Sequence, residues 1–175
     1  ISGGDNASVS FAENSTNSVT TVTSTDVDAG ATATYSIVGG VDSTKFTIDS
    51  STGALSFASA PNYELPTDAG NNNIYDVTVQ ASDSLGGIDT QAIAVTVTNV
   101  NEPPTITSDG GGTTAALSVA ENSTAVTTVT STDVDAGAAK TYSIIGGADM
   151  DLFTINNTSG ALSFITAPNR EVPTD

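Results

Sequence analysis

The chain contains one long phrase twice, and that repetition limits the possible folds more than any other feature. SVSFAENST, from Ser8, returns as ALSVAENST, from Ala116. TVTSTDVDAGATATYSIVGG, from Thr21, returns from Thr128 as TVTSTDVDAGAAKTYSIIGG. FTIDSSTGALSF, from Phe46, returns from Phe153 as FTINNTSGALSF, and APNYELPTD, from Ala60, returns from Ala167 as APNREVPTD. Asp26 is matched by Asp133 and Glu64 by Glu171, an offset of 107 residues. A period of roughly a hundred residues is a whole domain rather than one turn of a solenoid. The expected boundaries are 1–102 for the first domain and 103–175 for a linker and a second domain.

Within the first copy the apolar residues alternate. Tyr75, Val77, Val79 and Ala81 point one way and Asp76, Thr78 and Gln80 the other. Ile93, Val95 and Val97 alternate in the same manner, so these are strands with one buried face. Turn signals at Asp28-Ala-Gly, Gly39-Gly40, Thr52-Gly53, Asp68–Asn73 and Gly86-Gly87 separate the runs. Strands are predicted near 8–12, 18–25, 33–38, 45–49, 53–58, 73–82 and 90–99, with no convincing helical period. Seven short strands in about a hundred residues predict an all-β, Greek-key sandwich of immunoglobulin-like architecture. The expected fold is two such sandwiches in tandem, the second lacking its last two strands, because its match to the first stops at Asp175, the counterpart of Asp68. At ~1.5–3 kcal/mol per large buried side chain, losing both strands costs on the order of 10 kcal/mol, comparable to the stability of a domain. The expectation is that further chain or a neighbouring molecule supplies them.

The charge then narrows the function. Twenty acids against three bases give −17, which disfavours nucleic acid and an anionic membrane surface as partners. No apolar run spans a bilayer. There is no Cys and no His, so thiolate sites, the usual zinc ligand and the commonest general base are all missing. Ser and Thr abound but have no His to activate them. An enzyme is not expected.

The acids cluster where predicted strands end. Glu13, Asn62, Glu64 and the Asn99–Glu102 segment fall at one pole of such a sandwich, and Asp26, Asp28 and Asp83 at the other. All are hard oxygen donors, the set that calcium takes in sixes to eights.

In these motifs the chain resembles the cadherin repeat. Their order reads AEN, DVD followed by Gly, NYE and NRE, ASD, and the linker NVNEPP. The ELPTDAGNNNIYDV wording and the Thr-rich, Cys-free composition resemble the bacterial cadherin-like repeats of giant adhesins and extracellular proteins. The resemblance implies calcium held between successive domains. Glu13, Asn62, Glu64, Asn99, Asn101 and Glu102, joined by Asp133 and Asp135, would form the site between the copies. Asp26, Asp28 and Asp83 would form half of the preceding site, and Glu121, Asn169 and Glu171 half of the next. Asn at 62, 99, 101 and 169 lowers the ligand charge relative to the Asp-rich family pattern, which weakens affinity. The function so implied is a calcium-rigidified spacer or adhesion module, secreted or on the cell surface. Its expected partners are calcium and adjacent repeats, with homophilic contacts or a surface polysaccharide as adhesive ligands. A calcium-dependent surface filament or lattice, completed by strands from a neighbouring chain, is the alternative.

Overall fold

The computed structural model describes residues 6–27 and 30–172. The chain divides into two compact units, Ile1–Val100 and Asn101–Asp175.

The described strands of the first unit are β1 (Asn6–Ala12), β2 (Thr20–Thr21), β3 (Thr34–Gly39), β4 (Phe46–Ile48), β5 (Ala54–Phe57), β6 (Ile74–Ser82) and β7 (Ile88–Thr98). They form a four-stranded sheet in the order β1-β7-β6-β3 and a three-stranded sheet in the order β2-β5-β4. β6 and β7 pair antiparallel from Ile74↔Thr96 to Ser82↔Ile88, as a short connection requires. β1 instead runs parallel to β7, from Asn6↔Ala92 to Ala12↔Thr98. The alternation pattern carries no information about that direction, because period two is common to both pairings.

One apolar cluster joins the two sheets. β6 contributes Tyr75, Val77 and Val79, and β7 contributes Ile93, Val95 and Val97, each at most 1% exposed. Phe11 and Tyr35 complete that layer, while Val22, Phe46 and Leu55 come from the other sheet. Tyr75 meets Phe57 edge-on at 5.1 Å between ring centroids, and Phe57 lies 4.5 Å from Phe46. Each such side chain contributes about 1.5–3 kcal/mol by leaving water.

Two aspartates are buried with this core. The Asp42 carboxylate accepts the N–H groups of Ala69 (2.7 Å) and Asp76 (2.9 Å), and Asp68 accepts those of Asn72 and Asn73, both at 3.0 Å. Their hydrogen bonds offset the desolvation of two charges and fasten the 58–73 connection. Gly40, at φ +97°, sits where a Cβ would strike the backbone of Asp76 and Val77, so the chain can enter this turn only with glycine.

The second unit repeats half of this plan. Its described strands are β8 (Thr105–Ile106), β9 (Ala125–Thr128), β10 (Ser131–Thr132), β11 (Phe153–Ile155) and β12 (Ala161–Phe164). The sheet β11-β12-β9 reproduces the β4-β5-β2 sheet, down to the Phe153–Phe164 ring pair at 4.5 Å. β8 and β10 form a two-stranded ladder. The counterparts of β1 and β3, residues 114–120 and 141–146, form no strand. In the first unit those two strands pair with β7 and β6, whose counterparts are absent from the 175 residues. Among the described residues, no apolar side chain of the second unit is fully buried, and Ile145 is 94% exposed.

One turn occurs in both copies with different chemistry. Asp49 accepts the N–H groups of Ser51 (3.0 Å) and Thr52 (2.8 Å), and Asn156 accepts those of Thr158 (3.0 Å) and Ser159 (2.8 Å). The bonds from Thr52, then Ser51, hold the Asp49 carboxyl below the ordinary aspartate range. A depressed pKa adds stability above the unfolded-state value, and that stability is lost as pH falls through the folded-state value. Asp49→Asn is therefore expected to leave neutral stability nearly unchanged and to remove this turn's share of the acid sensitivity. Urea melts of both proteins at neutral pH and below pH 4 check it.

Candidate metal centre

Four clusters of candidate ligands lie at strand ends, and each is described within its own unit. The first is built around Glu13, immediately after β1. Its carboxylate is 2% exposed, yet Lys and Arg take no part in its pairing. Instead Oε1 accepts the N–H of Val100 at 2.8 Å, and Oε2 accepts that of Tyr63 at 2.8 Å. A carboxylate offers about four lone pairs, so these two bonds leave each oxygen free to accept again. Glu64 brings a carboxylate oxygen within 4.8 Å of one from Glu13. Asn99, just past β7, donates from Nδ2 to Glu64 Oε1 at 3.0 Å. Asn62 Oδ1 accepts the Leu65 N–H at 2.6 Å, so this exposed side chain turns the loop that presents Glu64.

That arrangement was tested against calcium by distance. Calcium–oxygen bonds are about 2.3–2.6 Å, so two oxygens on one ion lie up to about 5 Å apart. The Glu13–Glu64 separation satisfies that limit, and the donors are all oxygen. The residues fit the ion.

The second cluster lies at the other end of the same unit. Asp83, at the end of β6, accepts from Oδ1 the N–H groups of Leu85 and Gly87, both at 2.7 Å. The Gly87 bond, then the Leu85 bond, hold its carboxyl below the ordinary range; burial opposes them, and a hydrogen bond with Asp26 adds to them. A Cβ on Gly87 would strike Asp83, so glycine is required for this embrace. Asp26, Asp83 and Asp89 line one cleft of about 270 Å³. Carboxylates this close repel unless a proton or a cation sits between them. Asp28, predicted beside them, lies outside the described residues.

In the second unit, Glu102 donates its N–H to Asp135 Oδ2 at 2.9 Å, and Asp135 donates its own to Asp133 Oδ1 at 3.0 Å. Asn101, exposed, donates from Nδ2 to the Glu102 carbonyl at 3.0 Å. Thus the linker and the Asp-Val-Asp turn are brought together. The fourth cluster copies the first: Glu121 Oε2 accepts the Arg170 N–H at 3.1 Å, and Asn169 Oδ1 accepts that of Glu171 at 2.9 Å. Here Glu121 is exposed, whereas Glu13 is buried. The second N–H onto Glu13 comes from Val100, past β7.

In the sequence Asp68 and Asn73 carry only a turn signal, and nothing singles out Asp42 or Asp89. A carboxylate inside a Gly-rich or Asn-rich turn carries no mark of burial; only the N–H groups that converge on it reveal the role.

Residues 7–100 match the model of the Cadherin domain. Human Protocadherin Fat 1 is 33% identical over 154 residues, covering 85% of this chain and 3% of that protein. The chain therefore spans a small fraction of that relative. Drosophila N-cadherin EC1-4 superimposes with a TM-score of 0.61 at 18% identity, over 93% of this chain and 40% of the other. Human Protocadherin-24 EC1-2 gives 0.60 at 21% identity, over 94% and 78%. At these identities the structural likeness speaks for the fold alone.

Proposed function

The chain belongs to the cadherin domain family, and from that premise we propose that it is an extracellular adhesion module and spacer stiffened by calcium. The observation that carries the proposal is the Glu13–Glu64 pair. Two carboxylates approach within 4.8 Å, one of them almost wholly buried; Glu13 accepts two backbone N–H groups, and Glu64 accepts the side-chain amide of Asn99. Such a pair is held together against its own repulsion at a cost that a divalent cation removes.

In this reading Glu13, Glu64 and Asn99 form one ligand set within the first unit, with Asn62 shaping the loop. Asn101, Glu102, Asp133 and Asp135 form a second set within the second unit. A bound ion contributes positive charge that neutralises the carboxylates of the set that holds it. Asp26, Asp28 and Asp83 would serve a preceding repeat, and Glu121, Asn169 and Glu171 a following one. The ELPTDAGNNNIYDV loop supports the bacterial surface version of the family. Homophilic contact or a surface polysaccharide is the adhesive partner such a rod would present.

The test is thermal unfolding in calcium and in chelator. A ligand at a hundred times its dissociation constant stabilises by about 2.7 kcal/mol, which moves the midpoint of a domain this size by roughly 10 °C. Equal midpoints in the two conditions would remove calcium from the account while leaving the family assignment intact.

A further inference from the structure

We propose that Asn73 is a positioning residue for cation binding by Glu13 and Glu64, acting through the Tyr63 peptide; the inference rests on the calcium reading above. Asn73 ends the loop that precedes β6. Its Nδ2 donates to the Tyr63 carbonyl at 2.9 Å, and the N–H of Tyr63 donates to Glu13 Oε2 at 2.8 Å. One side chain therefore holds the Tyr63–Glu64 peptide, and the adjoining Asn62–Tyr63 peptide supplies the N–H that meets Glu13.

Asn73 is itself held from two sides. Its N–H is taken by Asp68 Oδ1 at 3.0 Å, and its carbonyl accepts the Val97 N–H at 2.8 Å, extending the β6–β7 ladder by one bond. Its backbone is left-handed, at φ 64°, which asparagine tolerates better than most residues. Asp68 is 3% exposed and spends its other oxygen on the Asn72 N–H. The buried carboxylate thus fixes the loop, the loop fixes the amide, and the amide fixes the ligand segment. Support of this kind, one layer behind the ligands, sets metal affinity as well as the ligands do.

Asn73→Gly removes the amide while keeping a residue suited to the left-handed backbone. Asn71→Gly is the matched control: Asn71 is also left-handed, at φ 49°, exposed, and in the same loop. Calcium titration by calorimetry and calcium-free urea melts are measured on the wild-type chain and both variants. Asn73→Gly is expected to weaken calcium binding roughly ten- to hundredfold at unchanged stoichiometry, with its calcium-free melt still cooperative. Asn71→Gly is expected to bind like the wild type. Wild-type affinity in Asn73→Gly, equal weakening in Asn71→Gly, or loss of the calcium-free fold in Asn73→Gly overturns the proposal and leaves the calcium reading standing. A wild-type chain that takes up no calcium overturns both.

Discussion

Tyr75→Ala is expected to lower the stability of the first unit by about 3–5 kcal/mol, as removal of a large buried aromatic does. Tyr75 is 1% exposed and sits where the two sheets meet, edge-on to Phe57 at 5.1 Å and to Phe46 at 6.4 Å. Its hydroxyl accepts the Thr67 N–H at 3.1 Å, so truncation also deprives the loop above it of an anchor. Tyr75→Phe separates the two contributions: it keeps the ring contacts and loses only a hydrogen bond of about 1 kcal/mol. Denaturant melts of the two variants measure the difference. The chain has only 5% aromatic residues, and three of them converge at this point, so little else can take over the packing.

The second large effect is at Glu13. Glu13→Ala removes a proposed ligand and deprives the N–H groups of Tyr63 and Val100 of the buried carboxylate that accepts them. Each lost hydrogen bond is worth about 1 kcal/mol, so the calcium-free stability is expected to fall by roughly 2 kcal/mol and the calcium-dependent rise in melting temperature to disappear. Glu121→Ala is the internal contrast. Glu121 is exposed and accepts one backbone N–H, from Arg170, so its loss is expected to change stability by under about 1 kcal/mol. Equal losses at the two positions would show that burial of Glu13 does not govern its role.

Much of this was legible before any coordinates. The alternation through Tyr75, Val77 and Val79 and through Ile93, Val95 and Val97 named the core of the four-stranded sheet residue by residue. The turn residues placed the strand ends to within a few positions. The predicted 18–25 strand shrinks to the ladder at Thr20–Thr21, since Ser–Thr runs alternate without an apolar face to anchor a register. The parallel pairing of β1 with β7 was invisible for the reason given above.

The site was legible in part. Glu13, Glu64 and Asn99 lie together in the structure, as do Asp26 with Asp83 and Glu102 with Asp135, and all of them stand at strand ends or turns in the sequence. What could not be read was which backbone N–H groups the candidate oxygens accept. Asn62 Oδ1 and Asn169 Oδ1 each accept one, from Leu65 and Glu171, that spacing alone does not announce. Asp68 reads as a turn residue and Asp42 is unmarked, yet both are buried anchors. Spacing reports which end of a strand a residue occupies; it does not report which N–H groups point at it.

The most direct measurement of the central claim is calorimetric titration of calcium into the chelator-stripped chain, alongside Glu13→Gln. That variant nearly preserves the shape of the side chain and removes its charge. The account predicts saturable uptake of at least one ion by the wild type and a clear loss of affinity in Glu13→Gln. No heat beyond dilution at millimolar calcium, or indistinguishable isotherms for the two proteins, would contradict it.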